Sequence, residues 1–178
     1  EHHAIVLANN ATAVDAAGVE AERLGYRHAM ISANAPEGPA EQVGRHLADM
    51  ALEMRDRGGP NCLISGGEPT VALAPPSQRG LGGRNQQLAL AALEVLGDCQ
   101  GVCLLSGGTD GEDGPTDAAG AWIDSEVASR AAAAGISIED HLARNDAYHF
   151  FEKAGGLLKT GPTHTNVCDL RVVVVEGP

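Results

Sequence analysis

Lysine is nearly missing from these 178 residues: only Lys153 and Lys159 occur, and the formal net charge is −12. So acidic a chain repels phosphate backbones, which sets nucleic acid aside as an expected partner. Long apolar runs are missing too. No stretch approaches the roughly eighteen residues that a membrane-spanning helix needs, and no charged-then-apolar leader opens the chain. The expectation is a soluble, cytoplasmic protein without a membrane partner. The four cysteines, at 62, 99, 103 and 168, form no CxxC pair and no zinc-like spacing, so reduced and mostly buried thiols are expected. His2 and His3 read as a metal pair or, preferably, as linker residues. The chain has no initiator Met and enters an apolar run at once, which suggests a piece of a longer polypeptide.

Several signatures of nucleotide and hydrolase chemistry are also missing. No Gly-Lys-Ser/Thr occurs, so there is no Walker loop. Residues 80–85 (GLGGRN) imitate a dinucleotide fingerprint, but Asn85 stands where Gly is needed, and Pro75, Pro76, Ser77 and Gln78 precede it in place of a strand. Neither Ser65 nor Ser106 has the Gly two places earlier that a nucleophile elbow requires. Asp110, Glu112 and Asp113 miss the alternating ligand spacing of an EF-hand, and no acid fills its last position.

What is present suits one α/β domain spanning residues 1–178, with 43% apolar residues and enough length for a sizeable core. Short apolar runs at 4–8 (AIVLA), 28–32, 62–65, 102–105 and 169–175 read as strands. Helical spacing marks 12–24, 41–57, a segment starting near Asn85, 125–134 and a segment capped by Asn145 or Asp146. Thr12 and Asp15 resemble a capping box. Thr70 to Leu73 is a short extended piece, and Asp117 is a candidate cap for a turn at 118–121. Strands alternating with helices predict a mainly parallel, doubly wound sheet with helices on both faces. Ligands of such sheets bind beyond the carboxyl ends of the strands, where Asn9 and Asn10, residues 66–68 and residues 106–117 would converge.

Two apolar strands end in Ser-Gly-Gly, at Ser65 and again forty-one residues later at Ser106. The second leads into GGTDGEDGPTDAAG, which gathers Asp110, Glu112, Asp113 and Asp117 on a glycine-rich loop. Four mutually repelling carboxylates among glycines cost stability, and a cation would offset that cost. Arg84 breaks a local rule by placing a cation at a helix amino end with no acid in the first turn. With Gly82 and Gly83 beside it, Arg84 and free helical N–H groups would bind phosphate or carboxylate. The competing reading pairs Arg84 with Glu68 or Asp110 in a structural ion pair. Anion site and carboxylates together describe phosphoryl transfer, with Mg²⁺ on Asp110 or Asp113 and Arg84 neutralising charge.

The blocks GGEPTV, GGRNQQLALAAL, GGTDGEDGPTDAAGA and TGPTHTNVCDLRVVVV resemble the C-terminal, MOFRL-type half of class II glycerate kinases. That resemblance covers nearly the whole chain and implies ATP-dependent phosphorylation of D-glycerate at its 2-hydroxyl, giving 2-phosphoglycerate. It also implies a cleft between two α/β domains, a lysine near the phosphates supplied by the N-terminal domain, and an isolated fragment without turnover. By motif position it marks Glu68, Arg84, Asp110 and Asn166, with Gly66, Gly67, Gly83, Asn85, Gly107, Gly108 and Thr109 as the surrounding substrate- or nucleotide-binding set. His164 stands where Gly is common and Cys168 where a polar residue is common. Some similar proteins carry the name hydroxypyruvate reductase, so an NAD(P)H-dependent reductase stays open, as does a non-catalytic metabolite-binding domain. Oligomeric state is left open as well.

Overall fold

A computed structural model describes residues 5–32 and 37–176. Its helices are α1 (Asn10–Arg23), α2 (Ala40–Arg57), α3 (Arg84–Leu96), α4 (Ser125–Ala133), α5 (Ile138–Ala143) and α6 (Ala147–Ala154). Its strands are β1 (His28–Ile31), β2 (Cys62–Gly67), β3 (Val102–Gly108), β4 (Gly120–Ile123), β5 (Leu157–Leu158) and β6 (Asp169–Val175), joined in one sheet of order β1-β2-β6-β3-β4-β5. Among the described residues no helix is long and apolar enough to cross a membrane.

The single α/β domain matches the sequence expectation, but the sheet is mixed. Only β1 and β2 are parallel neighbours. The remaining pairings are antiparallel because β6 returns between β2 and β3, and β4 folds back on β3. β1, β2, β3 and β5 nevertheless point the same way, so their carboxyl ends share one rim.

Alternation along β6 divides the core. Val173 and Val175 face a large cluster with Leu88, Leu93, Leu104 and Phe150, while Leu170, Val172 and Val174 pack with Val14, Ala21 and Ile64 under α1. α3 lies at the centre of the larger layer, with Asn85 through Leu93 all buried. Small residues let α2 press against it. A Cβ on Gly44 would sit 2.2 Å from the carbonyl oxygen of Leu88, so this helix pair closes only around glycine.

One expected strand is absent. Ala4 lies outside the described residues, but Ile5, Val6 and Leu7 belong to no strand and are 80%, 79% and 91% exposed. The reason is their position. Asn9 caps α1 in a capping box with Thr12, three residues earlier than the Thr12 and Asp15 pattern suggests. Asn10 then donates through Nδ2 to the carbonyls of Val167 and Asp169, both at 2.9 Å. Those bonds hold the start of α1 at the rim, so the preceding run approaches from beyond the sheet and meets no partner strand among the described residues. The short strands β4 and β5 and the helix α5 were not anticipated, since each is too brief for periodicity to show.

Candidate active site

The two Ser-Gly-Gly motifs flank the same strand. Across the sheet, Asp169 stands between Gly67 and Gly108, Leu170 between Gly66 and Gly107, and Arg171 between Ser65 and Ser106. Motifs forty-one residues apart thus form two sides of one frame around the start of β6. Asp169 is 0% exposed. A buried carboxylate requires a partner, and Arg84 provides it as a fork: Nε to Oδ2 at 2.7 Å and Nη2 to Oδ1 at 2.9 Å. Nη1 of Arg84 lies 3.3 Å from Oε1 of Glu68, whose side chain is 61% exposed. This pairing pushes the guanidinium pKa above its already high value, the Asp169 bonds being the largest cause.

The motif Arg84-Asn-Gln-Gln87 spreads four polar side chains to four parts of the fold. Arg84 takes Asp169. Asn85 accepts from the Ser106 hydroxyl at 2.6 Å, Gln86 donates to Thr116 at 2.9 Å, and Gln87 donates to Glu41 and to the Leu142 carbonyl. Asp113 closes the amino end of α3 from another loop, accepting from the backbone N–H groups of Asn85 at 3.0 Å and Gln86 at 2.9 Å. This cap from a distance corrects several expectations. Asp113, anticipated as a metal ligand, is 2% exposed and has both oxygens engaged by protein donors. Burial drives its pKa up to about 6, against the lowering effect of the Asn85 and Gln86 bonds. Asn85, anticipated beside a ligand, is 0% exposed. The helical N–H groups expected to be free for an anion are in part occupied by this carboxylate.

Asp110 keeps the open position. Its Oδ1 accepts the N–H of Glu112 and its Oδ2 accepts Nδ2 of Asn166, each at 3.1 Å, and no Arg or Lys neutralises it among the described residues. The loop carrying Asn166 is tied down by Thr109, whose hydroxyl donates to the Cys168 carbonyl and accepts the Val167 N–H. Thr109 therefore positions Asn166 and Asp110, and its hydroxyl is spent on protein rather than ligand. Asp117 does not cap a turn with its side chain but accepts from the Tyr148 hydroxyl and the Lys159 ammonium, both at 2.8 Å.

The glycines anticipated as ligand contacts make room for protein groups. A Cβ on Gly66 would collide with Asn10, on Gly67 with Glu37, and on Gly83 with Asp113. On Gly107 it would press on Leu158, and on Gly108 it would meet the Glu112 carbonyl and the Asp110 carboxylate. Sequence reasoning missed Asp169 altogether. The available signal was an acid and an arginine, Asp169 and Arg171, at alternate positions of an otherwise apolar strand, where each must find a buried partner. Arg171 does so through a fork to Glu37, both bonds at 2.7 Å.

Arg84 and Asp110 thus occupy one rim, joined through Asp169 and its strand neighbour Gly108. On one side of Arg84 opens a hollow of about 600 Å³, walled in part by Pro69, Val71, Leu73 and Pro115. A shallower polar hollow of about 400 Å³ holds Asp110, Glu112, His164 and Asn166. Among the described residues no three His, Cys, Asp or Glu side chains group as metal ligands. A single carboxylate suits Mg²⁺ only when substrate phosphates and water complete its shell.

Residues 61–169 match the MOFRL family. The chain belongs to the MOFRL family. It is 36% identical to a glycerate 2-kinase of Pyrococcus horikoshii, covering 98% of this chain and 40% of that protein. It is 39% identical to a putative hydroxypyruvate reductase of Agrobacterium vitis, covering 82% of this chain and 34% of that protein. The crystal structure of a glycerate kinase from Thermotoga maritima superposes with a TM-score of 0.88 at 38% identity, covering 94% of this chain and 41% of that one. The chain therefore spans about two fifths of the length of these kinases.

Among the described residues of this MOFRL chain, four that are not glycine hold a backbone conformation that favours glycine: Cys99, Asn145, His164 at φ 59° and Cys168 at φ 67°. His164 is the position where the family resemblance calls for Gly. Relief of that backbone penalty, offset by glycine's greater freedom when unfolded, predicts that His164→Gly raises stability by about 0.5 kcal/mol. Urea unfolding checks it, and a destabilised variant would show that the His164 side chain contributes more than its backbone costs. The Cys168 thiol has its pKa raised, first by burial and then by Glu68 and Asp169, which disfavours the thiolate.

Proposed function

We propose that this chain is the C-terminal domain of an ATP-dependent glycerate 2-kinase, acting in the cytoplasm with an N-terminal domain of the same polypeptide. The observation that carries the reading is Arg84, fixed by a buried fork to Asp169 with its outer nitrogen turned to exposed Glu68. A guanidinium held this way is preorganised to meet a transferring phosphoryl group without moving. The 2-hydroxyl oxygen of D-glycerate attacks the γ-phosphorus of ATP, the bond to the ADP oxygen breaks, and the hydroxyl proton passes to a carboxylate. Asp110 is the carboxylate best placed for that proton or for Mg²⁺, with Asn166 orienting it. Mg²⁺ would supply charge neutralisation on the phosphates. Glu68 serves as a removable partner that holds Arg84 until substrate arrives.

Reductase chemistry has less support. Gly80 to Gly83 are irregular and follow no strand, and Leu81 is held by Asp146 through its backbone N–H at 2.9 Å. The deciding assay supplies ATP and D-glycerate to the complete polypeptide and to this 178-residue chain alone. The complete protein is expected to release 2-phosphoglycerate and the isolated domain to show negligible turnover. NADH oxidation with hydroxypyruvate, in place of ATP consumption, would overturn the kinase reading. Robust turnover by the isolated domain would overturn the need for a second domain.

A further inference from the structure

The hollow beside Arg84 and the hollow beside Asp110 differ in chemistry, and that difference divides the substrates between them. Glycerate has three carbons, each bearing oxygen, so it presents no apolar surface worth burying. The hollow of about 600 Å³ has the opposite character: Pro69, Val71, Leu73 and Pro115 form its apolar walls, and its few polar groups include Arg84, Glu68 and Asn145. Its volume falls in the range of roughly 300–1,000 Å³ usual for sites that take drug-sized or cofactor-sized ligands. Leu73 is 61% exposed at this wall, an apolar surface with no protein covering it among the described residues.

The backbone of that wall is also set for recognition. Residues 71–74 belong to no strand and, with Thr70, are tied at alternate residues. Thr70 bonds to Gly38 and Ala40, while Ala72 and Ala74 bond to the side chain of Asn145. Val71 and Leu73 therefore keep backbone donors and acceptors that no described residue uses. Apolar faces with a free backbone edge suit a flat heterocycle, whose faces are apolar and whose rim bears nitrogen donors and acceptors.

We infer that the apolar hollow walled by Pro69, Val71, Leu73 and Pro115 is the nucleoside subsite, receiving the adenine end of ATP so that its phosphates extend past Arg84. Glycerate then belongs to the polar hollow beside Asp110 and Asn166, and Arg84 stands where the two substrates meet. This division rests on the kinase reading above.

The test uses the complete polypeptide and two variants. Val71→Trp fills the hollow with an indole, and Leu73→Ala removes an exposed apolar contact with little effect on the core. Val71→Trp is expected to raise KM for ATP on the order of tenfold and Leu73→Ala a few-fold, while KM for glycerate stays within about twofold in both. Adenosine, which has no phosphates, is expected to inhibit competitively against ATP and not against glycerate, and Val71→Trp is expected to weaken that inhibition. If Val71→Trp unfolds, Leu73→Ala and the adenosine competition still decide. A raised KM for glycerate with KM for ATP unchanged overturns the assignment while the kinase reading stands, as does adenosine competing with glycerate. If the wild-type polypeptide phosphorylates no glycerate, the kinase reading fails by itself. Calorimetry with adenosine then decides the subsite: binding lost in Val71→Trp upholds it, and no binding to the wild type overturns it.

Discussion

Arg84→Ala is expected to lower stability by about 3 kcal/mol and to lower turnover of the complete polypeptide on the order of a thousandfold. The two losses have separate causes. Stability falls because Asp169, 0% exposed, would keep its charge in the core without the guanidinium that balances it. On the kinase function proposed above, activity falls because the group that would neutralise the transferring phosphoryl is gone. Arg84→Lys separates the effects: it restores a positive charge and part of the stability, but a single ammonium cannot reproduce the two parallel bonds to Asp169. Denaturant unfolding at several pH values, with steady-state kinetics alongside, reads both. An Arg84→Ala protein as stable as the wild type would refute the dependence of Asp169 on Arg84. Unchanged turnover would remove Arg84 from the chemistry.

The second large effect concerns Asp113. Its removal uncovers the buried amino end of α3, leaving the N–H groups of Asn85 and Gln86 without their acceptor. The expected cost of Asp113→Ala is about 2 kcal/mol at pH 7. Its pH dependence has a definite sign. The folded pKa is about 6 against an ordinary value of 3.8, so between those values the folded state holds more protons than the unfolded one. Wild-type stability from this group therefore grows as pH falls from 7 towards 4 and is lost as pH rises through 6. A variant without Asp113 forgoes that gain, so its deficit is expected to be about 1 kcal/mol larger at pH 5 than at pH 7. A deficit that shrinks at pH 5 would mean that Asp113 is buried at a depressed pKa, with its bonds outweighing its loss of water.

Asp113, which the sequence presents as a metal ligand and the fold uses as a helix cap, shows where sequence reasoning stops. An acid on a glycine-rich loop looks solvated, and nothing local reveals that a helix amino end twenty-seven residues earlier lies against it. The strands of the central sheet were legible because their apolar runs are short and bounded, and the rim was legible because loops after such strands converge. Strand order was not. Periodicity reports which face of a strand is buried and is silent on its neighbours, so the insertion of β6 and the frame it makes with both Ser-Gly-Gly motifs could not be read. The run at residues 5–8 failed for a related reason: apolar content marks a strand only where another strand meets its backbone groups. Arg84 was the opposite case. A cation placed against a helix dipole announces that something else holds it, although not that the holder is Asp169.

The place of β6 bears on how the molecule comes into being. β2 and β3 never touch; each pairs with β6, through contacts that span more than a hundred residues on the β2 side. A nascent chain that has emerged only as far as β4 has both Ser-Gly-Gly strands but nothing between them, and two open strand edges that invite association with other chains. Such distant pairings fold slowly. Asp169 leads the strand that closes this gap, so Arg84 acquires its anchor only when the sheet is sealed. Until β6 pairs with both neighbours, the rim lacks its anchored guanidinium.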